Sequence, residues 1–177
     1  MSIKEAMNQY FSLRKEIAEE GLDFLFKTPF DEDVESLIYI GEVDEDEYIS
    51  WQPVEKDFYD FNSLEEDLGV RIHPSVIEYF NSYYFADLDG FIKDHYIKLE
   101  SVLQKADIDS YSNTLKGYKN NHDNKLENIP LGIEGNGLNV VVDNEDGSVK
   151  LEDFERNSFE VISESIELLI TSLRLKR

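Results

Sequence analysis

Apolar residues recur at three- and four-residue steps in the first segment, where Ile3, Ala6, Met7, Tyr10, Phe11 and Ile17 mark one stripe of an amphipathic helix. Such a stripe has to be buried against something larger, and Gly21 is placed to cap the helix end. The pattern then shortens. LIYIG (37–41) and EYISWQP (47–53) are β-rich runs separated by VDEDE, which predicts a two-stranded antiparallel hairpin. NSLEEDLG (62–69) predicts a short helix, with Ser63 and Glu66 at capping-box spacing and Gly69 as its stop. In HPSVIEYFNSYYF (73–85), Pro74 suits a first helical position and His73 a cap before it. Val76, Ile77, Tyr79, Phe80, Tyr83 and Tyr84 would give that helix a broad apolar face.

After a turn at ADLDG (86–90), Tyr96 and Lys98 alternate with Ile97 and Leu99, the period of a strand. Residues 107–120 predict a helix with Ile108, Tyr111, Leu115 and Tyr118 on one side, running into the polar loop KNNHDNK (119–125). IPLGIEG (129–135), GLNVVVD (137–143) and SVKLED (148–153) predict consecutive strands on Gly-bearing turns. A closing helix, starting between Ser158 and Glu164, gathers Ile162, Ile166, Leu169, Ile170 and Leu173, with Arg174, Lys176 and Arg177 at its negative end. Together these elements predict an α+β fold: a single compact domain over residues 1–177, with a mostly antiparallel sheet flanked by helices.

Charge changes the picture from fold to partner. With 39 Asp and Glu against 17 Lys and Arg, the chain carries a formal net charge of −22. That excess argues against direct binding to nucleic acid or an anionic lipid surface, and points to a basic protein partner. Hydrophobic residues at 41% and aromatics at 12% are too many for a disordered acidic tail, so the acids form the skin of a globular core. They are also unevenly spread: from Thr28 to Glu55 there are ten acids and no Lys or Arg. No 18 consecutive residues are apolar and no signal-peptide core is evident, which predicts a cytoplasmic protein.

Catalytic and cofactor signatures do not emerge. Without cysteine there are no disulfides, thiolate metal sites or cysteine nucleophiles. No GxxxxGK[ST] or GxSxG string occurs, and Gly135 and Gly137 precede a strand rather than a helix. His73, His95 and His122 lack metal-ligand spacing; the simplest expectations are a helix cap, a strand-edge residue and a solvated side chain. Neither Gly147 nor Gly90 can be the glycine of a calcium loop, because the ligand positions then fall on Val142, Phe85 or Tyr96. Paired carboxylates such as Asp87 with Asp89, or Asp44 to Glu47, would do acid–base work only if burial split their pKa values. The expectation is a protein that is not an enzyme, with no cofactor and no metal. Trp51, next to Gln52 and Pro53, reads either as a core aromatic in a strand that Pro ends, or as the wall of a recognition cleft.

Three strings in order carry a resemblance: YISWQPV (48–54), LGVRIHPSVIEYFNSYYFADLDG (68–90) and IPLGIEGNGLNVVVDNEDGSVKLED (129–153), followed by the closing helix. The chain resembles the SUKH superfamily and, within it, the Syd family, from about residue 3 to residue 175. The resemblance implies a concave acidic groove and a binding role. In the Syd family the partner is the SecY translocon subunit, reached from the cytosol through its basic loops, so peripheral placement on the membrane would come only through that protein. Elsewhere in the superfamily are immunity proteins that neutralise basic, often nuclease, toxins. Carried across residue by residue, the matches are Trp51, Gln52, Pro53, Pro74, Phe85, Ala86 and an acid at Asp87 or Asp89. The expected partner-binding set is Trp51, Gln52, Pro53, Tyr83, Phe85, Asp87, Asp89 and the acidic-hairpin residues Asp44, Asp46 and Glu47.

Overall fold

The amphipathic stripe at the N-terminus folds as α1 (Ile3–Glu19). Ser2 and Glu5 close a capping box at its start, and Gly21 turns the chain out of it with φ +105°. In the computed structural model, residues 1–34, 36–104 and 107–175 are described. After a 3₁₀ turn, β1 (Lys27–Pro29), β2 (Tyr39–Ile40) and β3 (Tyr48–Trp51) form a small sheet in the order β1-β3-β2. The predicted hairpin is therefore present, with Tyr39 opposite Trp51, and β1 adds a strand that the sequence pattern did not announce.

The next stretch departs from expectation in two places. Helix α2 (Asn62–Leu68) ends at Gly69 as predicted, but the Ser63 capping box does not form. Its N-cap is Phe61, Asp60 accepts from the Asn62 N–H instead, and Glu65 reaches across to the N–H of Ile72. Helix α3 (Pro74–Phe80) begins at the proline, with the His73 ring accepting from the Ser75 N–H as the expected cap. It stops at Asn81, so Tyr83 and Tyr84 are strand residues: β5 (Tyr83–Tyr84) pairs with β4 (Val54–Glu55). Tertiary pairing with a strand far back in the chain has overridden the helical spacing.

The main sheet has six strands: β6 (Asp89–Ile92), β7 (His95–Leu99), β8 (Asn128–Glu134), β9 (Asn139–Asp143), β10 (Val149–Asp153) and β11 (Ser158–Ser163). They lie in sequence order and every described pairing is antiparallel. Helix α4 (Asp107–Asn120) fills the long β7-to-β8 connection and packs Tyr111 onto the Pro130 carbonyl. The closing helix α5 (Ile166–Ser172) starts later than predicted, because residues 158–163 form β11 and Ile162 belongs to the sheet. Lys176 and Arg177 lie outside the described residues. The sheet curls so far that β11 approaches the β6–β7 turn, with Lys93 Nζ and His95 Nε2 each 3.9 Å from Glu160. Helix α1 packs against α5 over the core. The chain beyond α5 then bonds its backbone to β6, Phe91 and Arg174 exchanging N–H···O=C bonds of 2.8 and 2.9 Å. That added stretch covers an otherwise bare edge strand.

Curling requires a bulge in β8 between Pro130 and Gly132, and Gly132 there leaves no room for a side chain: a Cβ would lie 2.3 Å from the Lys98 carbonyl oxygen. Gly117, inside α4, has nothing within 4 Å of the same position. Urea unfolding should therefore separate the two. Gly132→Ala should lower stability by about 1–3 kcal/mol or more, while Gly117→Ala should raise it by about 0.5–1 kcal/mol.

Candidate partner-binding site

The expected site residues fall into three groups. Trp51 and Phe85 are 1% and 0% exposed and Tyr83 is 8% exposed, so all three are core side chains. They surround Phe11 of α1, whose ring centre lies 6.2 Å from Trp51, 5.8 Å from Tyr83 and 5.6 Å from Phe85. The aromatic area that would have offered itself to a partner is consumed in fixing α1 to the sheets. Trp51 is a core aromatic, and with Gln52 and Pro53 it also lines a cleft of about 370 Å³ beside Phe11, Phe26 and Ile40. Its indole Nε1 is buried and has no hydrogen-bond partner among the described residues.

Asp89 and Asp87 form the second group, and each already has a cation. Arg14, buried on α1, places Nη1 2.5 Å from Asp89 Oδ1, and its Nε donates to the Leu25 carbonyl at 2.8 Å. The Tyr10 hydroxyl accepts from Arg14 Nη1 and from the Asp89 N–H, and donates to the Asp89 carbonyl at 2.6 Å. Tyr96 donates to the other carboxylate oxygen. The guanidinium lies 5.7 Å from the Phe26 ring and 5.9 Å from Trp51. Asp87 pairs with Lys98 at 3.2 Å. Neither acid faces solvent as an unpaired charge.

The third group is the β2–β3 turn. Asp44 is spent on the turn itself: its Oδ1 accepts from the N–H groups of Asp46 and Tyr48, and its Oδ2 from Lys27 at 3.1 Å. The Tyr48 N–H and the Lys27 ammonium hold its carboxyl below the usual range. Asp46 and Glu47 are exposed, as are Asp31, Glu32 and Glu45. The nearest following cation does not offset them, because Lys56 is buried with its ammonium on the Phe80 carbonyl and between the Tyr59 and Tyr84 rings. A cleft of about 900 Å³ opens among these acids, lined by Phe30, Tyr39, Val43, Glu47 and Leu103, with the first two rings 5.7 Å apart. Acidic rim and apolar floor therefore occur together on this lobe.

One polar centre lay beyond the expected set. His122, expected to be solvated, stacks on Tyr118 at 3.7 Å and places Nε2 2.7 Å from the buried Glu152, whose other oxygen accepts from Asn139 at 3.2 Å. Burial and the nearby carboxylate push the Tyr118 hydroxyl's pKa up. The residues involved come from α4, its following loop, β9 and β10; Tyr118 and His122 are four residues apart, but no local spacing leads from them to Glu152. Among the described residues no group of three or more His, Cys, Asp or Glu side chains could hold a metal ion.

With this geometry in view, the comparisons decide the family. The model of the Syd protein (SUKH-2) family matches residues 2–174. The chain belongs to the Syd family. Its relatives include proteins named Protein Syd from Idiomarina loihiensis, 28% identical over 144 residues (78% of each chain), and from Hahella chejuensis, 26% identical over 152 residues (82% of this chain and 79% of that one). A third, from Psychromonas ingrahamii, is 34% identical over 70 residues, a match spanning 39% of this chain and 38% of that relative. In this Syd-family chain no helix among the described residues is long and apolar enough to cross a membrane.

Two measurements test the buried network. Arg14→Met strands the Asp89 carboxylate and should cost about 3–5 kcal/mol, whereas Asp46→Ala, on the exposed turn, should change stability by no more than about 0.5 kcal/mol. Burial pushes the Tyr10 hydroxyl from 10.0 to about 12. A raised folded-state pKa gives stability that is complete below pH 10 and lost as pH climbs through 12, so unfolding free energy should fall across that window, less steeply in Tyr10→Phe.

Proposed function

We propose that this Syd-family chain is a non-catalytic, cytoplasmic binding protein that docks on the basic cytosolic loops of the SecY subunit, and reaches the membrane surface only through that partner. The observation that carries this reading is the match of the Syd family over residues 2–174 in a chain with a net charge of −22. The docking surface in this proposal is the acidic lobe of residues 28–48 and the adjoining cleft at Trp51, Gln52 and Pro53. Asp46 and Glu47 supply long-range attraction, while Asp87 and Asp89 are held by Lys98 and Arg14. Exposed apolar side chains at Phe30, Leu37, Ile40, Val43 and Tyr48 give the same lobe an area that excludes water. Charge speeds encounter and apolar contact sets residence time, so the two kinds of substitution separate kinetically.

Detergent-solubilised SecY complex passed over the immobilised protein should be retained at low salt and released as salt rises, since exposed charges are screened beyond about 8 Å at physiological ionic strength. Converting Glu45, Asp46 and Glu47 to their amides should slow association by roughly tenfold at low salt. Phe30→Ala should leave association nearly unchanged and speed dissociation. Failure to retain SecY at any salt, with recovery of a basic toxin domain from the same extract, would replace this reading with an immunity role.

A further inference from the structure

The two edges of the small sheet are not alike. In an antiparallel ladder, pairs that exchange hydrogen bonds alternate with pairs that do not. The Phe30 N–H donates to the Glu47 carbonyl at 2.8 Å, which puts Thr28 in a bonded pair with Ile49 and leaves the backbone groups of Lys27 and Pro29 facing away from β3. Neither offers a free donor: the Lys27 N–H is taken by the Phe24 carbonyl, and proline has none. That edge is closed to a further strand. The β2 edge is open. The Gln52 N–H donates to the Ile38 carbonyl at 3.0 Å, and the register sets Tyr39 against Trp51 and Ile40 against Ser50. By the same alternation Ile40 is the bonded residue, so the N–H and the carbonyl of Tyr39 both point out of the sheet, where neither meets a hydrogen-bond partner among the described residues. The flanking positions are bare as well: Leu37 is 68% and Ile40 43% exposed, and a Cβ at Gly41 would have nothing within 4 Å.

The pleat sorts the side chains of any strand laid along this edge. The residue that exchanges bonds with Tyr39 projects to the same face as Tyr39, and its two neighbours project to the opposite face, beside Ile40. On the Tyr39 face lies the cleft of about 900 Å³, with Phe30, Val43 and Leu103 on its wall and the exposed carboxylates of Asp31, Glu32 and Glu47 around them. No Lys or Arg occurs in residues 28–55 to offset these acids, and the ammonium of Lys27 is held by Asp44. A lysine or arginine facing Tyr39 lays its aliphatic stem on the apolar wall and its charge among the carboxylates. An acidic side chain at that position is repelled.

We propose that β2 is a docking edge: an extended segment of the basic partner adds to the three-stranded sheet as a further strand, with a Lys or Arg opposite Tyr39 and an apolar residue on each side of that cation. This rests on the docking reading above, to which it gives a binding mode and a sequence pattern. Backbone bonds to Tyr39 fix the register, and the cleft beside it selects the cation.

An acetylated and amidated Thr-Val-Arg-Val-Thr peptide is titrated into the intact protein and followed by backbone amide resonances. Saturable shifts should centre on residues 37–41 and Phe30, and the same peptide with Glu in place of Arg should bind at least about tenfold more weakly. Methylating the backbone nitrogen of the arginine removes the donor aimed at the Tyr39 carbonyl and should weaken binding by about tenfold or more. Methylating that of the next valine, which points away from β2, should change it by less than about threefold. In the protein, Tyr39→Pro deletes the outward N–H without costing β3 a bond, and should bind the peptide about tenfold more weakly than Tyr39→Ala, which loses the same ring and keeps the N–H. Equal effects of the two methylations, shifts centred elsewhere, or no saturation overturn the proposal. Shifts over residues 37–41 on concentrating the protein alone overturn it in favour of a second copy on the edge. SecY retained equally by Tyr39→Pro and Tyr39→Ala removes this inference alone; the alternating methylation pattern without SecY retention removes the docking reading alone.

Discussion

Arg14 cannot be taken out of water without a counter-charge, and among the described residues its close carboxylate is 75 residues away, at the start of the sheet's first strand. That requirement fixes where α1 lies. Once the guanidinium is on Asp89, Phe11 is carried into the ring of Trp51, Tyr83 and Phe85, and the Tyr10 hydroxyl is pinned to both backbone groups of Asp89. The small sheet, the β4–β5 pair and the large sheet meet at this helix. Loss of the ion pair thus loosens three elements at once, rather than one contact.

The same pair explains why the acids nearest the aromatic core do not serve recognition. A carboxylate held by a buried guanidinium and the Tyr96 hydroxyl projects little field, whereas exposed acids on the 28–48 lobe keep theirs. Net charge is therefore a poor guide to where a partner sits. What matters is which carboxylates remain after the fold has paired its own cations, and Lys27, Lys56 and Lys98 are all spent internally.

Periodic elements were legible in the chain and long-range choices were not. Residues 107–120 form the predicted helix because its apolar positions keep one period from end to end. Strand β11 was missed because SFEVIS exposes side chains at four successive positions, and its one buried isoleucine continues the spacing of the helix beyond. Tyr83 and Tyr84 misled in the opposite sense, with helical spacing carried across a helix that had already ended at Phe80. For the site, one signal was present: Arg14 falls in the apolar register of Ile3, Met7 and Tyr10, and a charge in that stripe demands a buried partner. Nothing comparable points from His122 to Glu152, 30 residues on and joined only through the folded sheet.

The backbone bond between Arg174 and Phe91 bears on the order of events at the ribosome. The strand it covers is made before residue 93, yet its outer edge stays open until residue 174 has emerged, and α1 meanwhile waits for α5. A nascent chain thus carries an unsealed β-edge while the residues from 93 to 174 are made, with its aromatic cluster around Phe11 only partly enclosed. Closure is a late event in the life of each molecule, and the surplus of negative charge keeps neighbouring unfinished chains apart until it comes.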